Sequence, residues 1–154
     1  MLLDTHAHYD DEAFDADRDT LLESLKEYGI RKVINAGASV ESSYTGLKLA
    51  ERYPWMYAAL GAHPNYVEEL NETVLKDFAA LAKHPKVVAI GEIGLEYHYE
   101  EPLRDVQKIW FRRQLDLAAE TGLPVIIHSR EAAQDTFDEM QRAAARGIGG
   151  VIHC

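Results

Sequence analysis

Hydrophobic positions along the chain alternate between two patterns. Short apolar runs without strict alternation occur at Leu2–Thr5, Lys32–Ala36, Met56–Leu60, Val87–Ile90, Pro124–Ile127 and Gly150–Ile152. Runs of this kind suit parallel strands buried on both faces. Between them lie longer segments of helical period. Leu21, Leu22, Leu25 and Tyr28 form the apolar face of the first, with Asp17 as its cap and Gly29 at its end. Val40–Arg52 is the second helix and stops at Tyr53-Pro54. Asn71 opens the third, with Leu75, Phe78 and Leu81 facing in. Pro102 begins a long fourth helix carrying Leu103, Val106, Trp110 and Leu117, closed by Gly122. Arg130–Arg146 is the fifth, with Ala133, Phe137, Met140 and Ala144 inward.

Six strands alternating with five helices imply right-handed crossovers and a parallel α/β sheet. A doubly wound sheet and a (β/α) barrel both satisfy that order. The polar residues decide between them. Strand ends recur at His8, Gly37, Gly61, Glu92, His128 and His153, each about one βα unit after the last. Five of the seven histidines (His6, His8, His63, His128 and His153) sit at such ends. Barrels gather their chemistry at the C-terminal ends of their strands. The expectation is therefore a TIM-type barrel, here with six of its eight βα units.

His6 and His8 lie two apart on one strand and point to the same face. Glu92 directly follows Val-Val-Ala-Ile-Gly, and a buried carboxylate there needs a cation or hydrogen bonds. His128 and His153 each follow a buried aliphatic run. Singly, each has an ordinary explanation: an incidental strand pair, a helix cap or ion pair, a hydrogen-bonded core histidine. Together they put five nitrogen and oxygen ligands on four strands at one barrel mouth. A site for two divalent metal ions, bridged by Glu92, accounts best for the set. Mg, Mn and Zn all fit such donors. His63, before Pro64, sits at the same mouth. Metal ligand, phosphate contact and loop residue are all open for it, and a substrate contact is favoured. Arg130 can offer its planar fork to a phosphate, or lie solvated in a helix first turn. Glu96 can orient a histidine or lie exposed to solvent. Asp4 reads as structural, and His84 and His98 as exposed.

Composition narrows the partners. The 154 residues carry 16 Lys+Arg against 26 Asp+Glu, a net charge of −10, with 47% hydrophobic residues. That is a folded, soluble composition. It argues against a basic groove that grips nucleic acid by charge alone. A phosphate-bearing substrate would need metal ions to supply positive charge. The single Cys154 excludes an internal disulfide framework and suits a reducing compartment. No apolar run is long enough for a membrane span, and Met1–Asp11 lacks the basic start of a signal peptide. A cytoplasmic protein with no membrane contact and no obligate protein partner is the expectation.

Five segments taken together carry a resemblance: Asp4-Thr5-His6-Ala7-His8-Tyr9-Asp10, Gly61-Ala62-His63-Pro64, Gly91-Glu92-Ile93-Gly94-Leu95-Glu96-Tyr97, Ile127-His128-Ser129-Arg130 and Ile152-His153-Cys154. In this order and spacing they resemble the TatD family of metal-dependent deoxyribonucleases. The resemblance implies an amidohydrolase-like TIM barrel that cleaves DNA phosphodiesters with divalent metals. It implies that His6 and His8 hold one ion, that Glu92 bridges, and that His128 and His153 hold the second. It places His63 near the substrate phosphate. Glu96 and Glu131 stand where the family has aspartates. The family continues for two more βα units with an aspartate that completes the first metal site, whereas this chain stops at Cys154. Residues 1–154 thus read as a single truncated TatD-like domain. Six strands alone should leave two open edges, self-associate and hydrolyse poorly. An inactive fragment is one rival reading. An amide or deaminase-type hydrolase is a second, though no strand ends in the lysine that many of those use as a bridge. A phosphomonoesterase opening with the same H-x-H is a third, disfavoured by the Gly-Glu-Ile-Gly-Leu segment.

Overall fold

The computed structural model describes residues 2–153, so Cys154 and the inference drawn from it lie outside the described residues. Six strands, β1 (Leu2–Ala7), β2 (Ile30–Ala36), β3 (Met56–Leu60), β4 (Val87–Glu96), β5 (Val125–Arg130) and β6 (Gly150–His153), pair in sequential order. Every pairing is parallel. The helices α1 (Arg18–Ser24), α2 (Val40–Arg52), α3 (Glu72–Leu81), α4 (Arg104–Thr121) and α5 (Ala133–Ala144) make the crossovers. The sheet is strongly curled. The rings of His6 on β1 and His153 on β6 lie 4.0 Å apart although their strands are the two edges of the sheet. That curl is the sense in which six strands build part of a barrel.

Helix faces pack on the outside of the curl. Leu22, Leu47, Phe78, Phe111 and Leu115 from the helices bury against Val33, Leu60, Ile90 and Ile127 from the strands. Ala59, Ala89 and Ile126 form a smaller cluster. The caps follow local chemistry. The Asn71 side chain accepts from the N–H groups of Thr73 and Val74, and Ser39 accepts from that of Ser42. Gly122 ends α4 at φ +70°, a conformation glycine adopts without cost.

Several element bounds differ from the pattern in the sequence. β1, β4 and β5 run past their apolar runs, so His6, Glu92, His128 and Arg130 lie within the strands. Arg130 is therefore not a first-turn helix residue. Asp17 makes no side-chain cap bond, and α1 ends by Ser24, leaving Tyr28 74% exposed. Pro102 and the exposed Leu103 precede α4. The phase of α5 is also different: Ala132, Thr136, Glu139 and Ala143 are buried, while Phe137 is 55% exposed. Its polar residues turn inward because partners await them. Arg112 donates to Glu139 at 2.6 Å, and the Thr136 and Ser129 hydroxyls meet at 2.9 Å. Those hydrogen bonds make burial of the two polar side chains tolerable.

Leu2, Leu3, Val151 and Ile152 are exposed on the two edge strands. Unpaired edges with apolar side chains template association. A polypeptide of these 154 residues alone should therefore elute above monomer mass in size exclusion with light scattering. A compact monomer with one cooperative unfolding transition would contradict this.

Candidate metal centre

Each strand delivers its ligand for a local reason. His6 and His8 straddle Ala7 at the end of β1, and the His6 N–H donates to Asp4 Oδ1 at 3.1 Å. Glu92 lies inside β4 with its side chain 4% exposed. Its N–H donates to the Gly37 carbonyl at 3.0 Å. His128 and His153 are register partners on β5 and β6.

The Glu92 carboxylate sits at the centre of these imidazoles. Its Oε2 lies 3.1 Å from His6 Nε2 and 3.3 Å from His8 Nε2. Its Oε1 lies 3.1 Å from His128 Nδ1 and 2.8 Å from His153 Nε2. Two histidines thus face each oxygen. His63 Nε2 is farther, 3.9 Å from Oε1. All six residues line a cavity of about 750 Å³ that also touches Asp10, Ser39 and Ser42.

The outer hydrogen bonds select tautomers. His8 Nδ1 is 3.0 Å from the Ala36 carbonyl, so Nδ1 carries the proton and the neutral ring turns a bare Nε2 inward. His128 Nε2 is 3.1 Å from Glu96 Oε2, which leaves Nδ1 bare toward Glu92. Both are the arrangement of a metal-binding histidine held by an oxygen behind it. His63 is the reverse. Its Nδ1 accepts from the Asn65 N–H at 3.2 Å, so its proton sits on Nε2 and points into the cavity. His63 lies close enough to Glu92 and His128 to share an ion with them. With Nδ1 engaged by Asn65, however, its Nε2 presents a proton rather than a lone pair.

Burial favours a neutral Glu92, but the imidazoles of His128, His6 and His8 around it hold its carboxyl far below the usual range. The Glu92 carboxylate beside it raises His8 against the cost of its burial. Burial lowers His128, yet the neighbouring carboxylates of Glu92 and Glu96 outweigh that and leave it raised. Burial lowers His153, and it lowers His63 to about 4.

These donors fit divalent cations. His6 Nδ1, His128 Nδ1 and His153 Nε2 are buried without a hydrogen-bond partner. Two of those three atoms point bare at an anionic oxygen, an electrostatic gap that a cation fills. His6 Nε2 and His8 Nε2 approach to 2.9 Å. Two neutral imidazoles converging this closely would share one cation.

A family model described as TatD related DNase matches residues 3–154. The chain belongs to the TatD family. The metal-dependent hydrolase YabD of Bacillus subtilis is 38% identical over 154 residues, all of this chain and 60% of its own length. The 3'-5' ssDNA/RNA exonuclease TatD of Musicola paradisiaca is 31% identical over 142 residues, covering 92% of this chain and 54% of its own. The crystal structure of YjjV, a TatD homologue from Escherichia coli K12, superposes with a TM-score of 0.90 at 34% identity, covering 99% of this chain and 59% of that one. This chain therefore spans about 60% of the length of its TatD relatives, and its six strands match the corresponding part of a TatD barrel.

Within this TatD fold the expected residues divide. His6, His8, His63, Glu92, His128 and His153 meet in one cavity. Arg130 does not line it: the guanidinium lies 3.9 Å from Glu96 Oε2 and 5.8 Å from the Tyr99 ring centre. His98 pairs with Glu131 at 2.9 Å and His84 with Glu51 at 3.3 Å, and neither histidine lines the cavity. Asp10, Asn35 and Ser42, bonded together beside His8, were not foreseen. The H-x-H-x-Asp spacing offered a hint for Asp10. Nothing local marked the other two.

Proposed function

We propose that this chain belongs to a divalent-metal-dependent hydrolase of phosphodiester bonds, with single-stranded nucleic acid, DNA foremost, as substrate. The observation that carries the reading is the division of imidazoles between the two oxygens of Glu92. On this reading His6, His8 and Glu92 would hold one cation, and His128, His153 and Glu92 would hold a second. Two such cations would supply Lewis-acid charge to the phosphoryl oxygens and acidify a water. Glu92 is the catalytic carboxylate because it touches both positions. His63, neutral at physiological pH, offers its Nε2 proton to a phosphoryl oxygen and gains nothing by charging. Glu96 keeps His128 in its binding tautomer. Arg130, on the rim, serves a neighbouring phosphate rather than the one being cut. The single-strand preference follows the names of the TatD exonuclease relatives. Among the described residues no helix is long and apolar enough to cross a membrane, and a cytoplasmic location is part of the same proposal.

The test is hydrolysis by the full-length protein of bis(p-nitrophenyl) phosphate, a labelled single-stranded oligonucleotide, p-nitrophenyl phosphate and a peptide amide, with Mg, Mn or Zn added. Diester cleavage that a chelator stops is expected. Peptide or monoester turnover without diester cleavage would overturn the reading.

pH provides a second check. In metal-free protein, His8 and His128 have folded pKa values above their unfolded value of about 6.5. Their contribution is complete below about pH 6.5 and is lost as pH rises through the raised values. His63 and His153 have lowered values, so stability falls as pH drops below about 6.5 toward them. Glu92 adds a further loss as pH falls below about 4.5 toward its depressed value. The Tm of chelated protein should therefore peak near pH 6.5. Cation binding must displace the protons of His8 and His128, so affinity should fall about tenfold per pH unit for each below its pKa. With Mn or Zn present, Tm should keep rising past pH 7. Parallel Tm curves with and without metal would contradict this.

A further inference from the structure

The stretch from the end of β2 into the first turn of α2, residues 36–42, holds no imidazole, yet its carbonyls hold His8, His63 and Glu92. The Ala36 carbonyl takes His8 Nδ1 at 3.0 Å. The Gly37 carbonyl accepts from the Glu92 N–H at 3.0 Å, and the Ala38 carbonyl from the His63 N–H at 2.9 Å.

Side chains lock this stretch to the H-x-H segment. Asn35, the residue before Ala36, is fully buried. Its Oδ1 accepts from the Tyr9 N–H at 2.7 Å, and its Nδ2 donates to Asp10 Oδ1 at 2.6 Å. The other Asp10 oxygen accepts from Ser42 Oγ at 2.5 Å. Ser42 Oγ in turn accepts from the Ala38 N–H at 3.0 Å. Gly46 leaves room for the arrangement, because a Cβ there would stand 2.6 Å from Asn35 Nδ2. His8 is thus gripped twice from β2: its ring by Ala36, and the backbone of its neighbour Tyr9 by Asn35. Neither grip reaches the Oε1 side of Glu92.

We propose that the Asp10–Asn35–Ser42 relay is a positioning device that aims His8 and so sets cation affinity on the Oε2 side of Glu92. This rests on the reading of His8 as a cation ligand. Asp10 fixes the geometry through both of its oxygens, one accepting from Asn35 and the other from Ser42. An asparagine at position 10 preserves the relay: its oxygen can still accept from Asn35, and its amide can donate to Ser42. An alanine cannot. Outer hydrogen-bond partners of metal-binding residues are typically worth about 10–100-fold in affinity.

The experiment is a Co(II) titration followed by visible absorption, on wild type and on Asp10→Ala, Asp10→Asn and His8→Ala. Asp10→Ala should weaken by about 10–100-fold the step that His8→Ala removes, and should leave other binding unchanged. Asp10→Asn should titrate close to wild type. If Asp10→Ala titrates like wild type, or if Asp10→Asn is weakened equally, the relay is overturned while the metal reading stands. A wild type that binds no Co(II) overturns the metal reading itself, and the relay with it. Far-UV circular dichroism checks folding. If Asp10→Ala fails it, Ser42→Ala opens the relay from its far end and should weaken the same step by a smaller factor. An unaffected Ser42→Ala then overturns the proposal.

Discussion

Glu92→Ala should abolish cation binding at both positions and reduce hydrolysis by roughly 10⁴-fold or more, the scale of losing a group that acts as a unit with its neighbours. Its two oxygens face His6 and His8 on one side and His128 and His153 on the other. Removing them takes one ligand from each cation and the carboxylate at the centre of the imidazoles. His63→Ala should behave differently. His63 presents a proton rather than a lone pair, so cation binding should survive and turnover should fall by about 10²–10³, as for loss of one donor to a developing oxyanion. Glu92→Gln separates charge from shape: it keeps the side-chain volume and should still lose most of the cation affinity. Calorimetric titration with Mn or Zn, beside diester turnover at saturating metal, measures all three. Near-normal turnover by Glu92→Ala would remove the bridging role, and loss of cation binding by His63→Ala would make that histidine a ligand.

Much of this site was legible because its ligands are anchored to strands, and a strand's side chains have a fixed period of two. H-x-H on β1 and the isolated histidines after two aliphatic runs could be placed at one mouth from spacing alone. For Glu96 the sequence left orienting a histidine and solvent exposure both open, and it is the approach of His128 Nε2 to 3.1 Å that decides between them. What spacing could not give was anything set by hydrogen bonds between distant segments. Asn35 looks like one more residue of an apolar strand, and only the Tyr9 N–H and Asp10 carboxylate brought beside it reveal its task. The tautomer of His63 depends on a turn two residues later. On α5 the hydrophobic pattern places Met140 against the core correctly but not Phe137, while Arg112 and Ser129, from other elements, make Glu139 and Thr136 cheaper to bury.

The strand-borne design makes one backbone position critical. Gly94 pairs with His128 across β4 and β5. Its φ is +145°, and a Cβ there would lie 2.0 Å from the His128 carbonyl oxygen, with the His128 carbonyl carbon at 2.9 Å. The obstacle is backbone, which no rotamer change can move aside. Gly94→Ala must therefore combine an unfavourable φ, about 1–3 kcal/mol, with overpacking of about 1–3 kcal/mol or more. A total of about 2–6 kcal/mol is a large part of the ~5–15 kcal/mol that holds a domain together. Any relaxation pushes β5 away from β4 and carries His128 off both Glu92 and Glu96. Gly122→Ala is the control. Its φ is +70° but nothing lies within 4 Å, so only the left-handed backbone cost of about 1–2 kcal/mol applies. Urea unfolding of the two variants in the full-length protein should separate them clearly, and Gly94→Ala should also bind cation more weakly while Gly122→Ala does not. Equal stability in the two variants, with cation binding intact in both, would mean that β4 and β5 can part at Gly94 without disturbing His128.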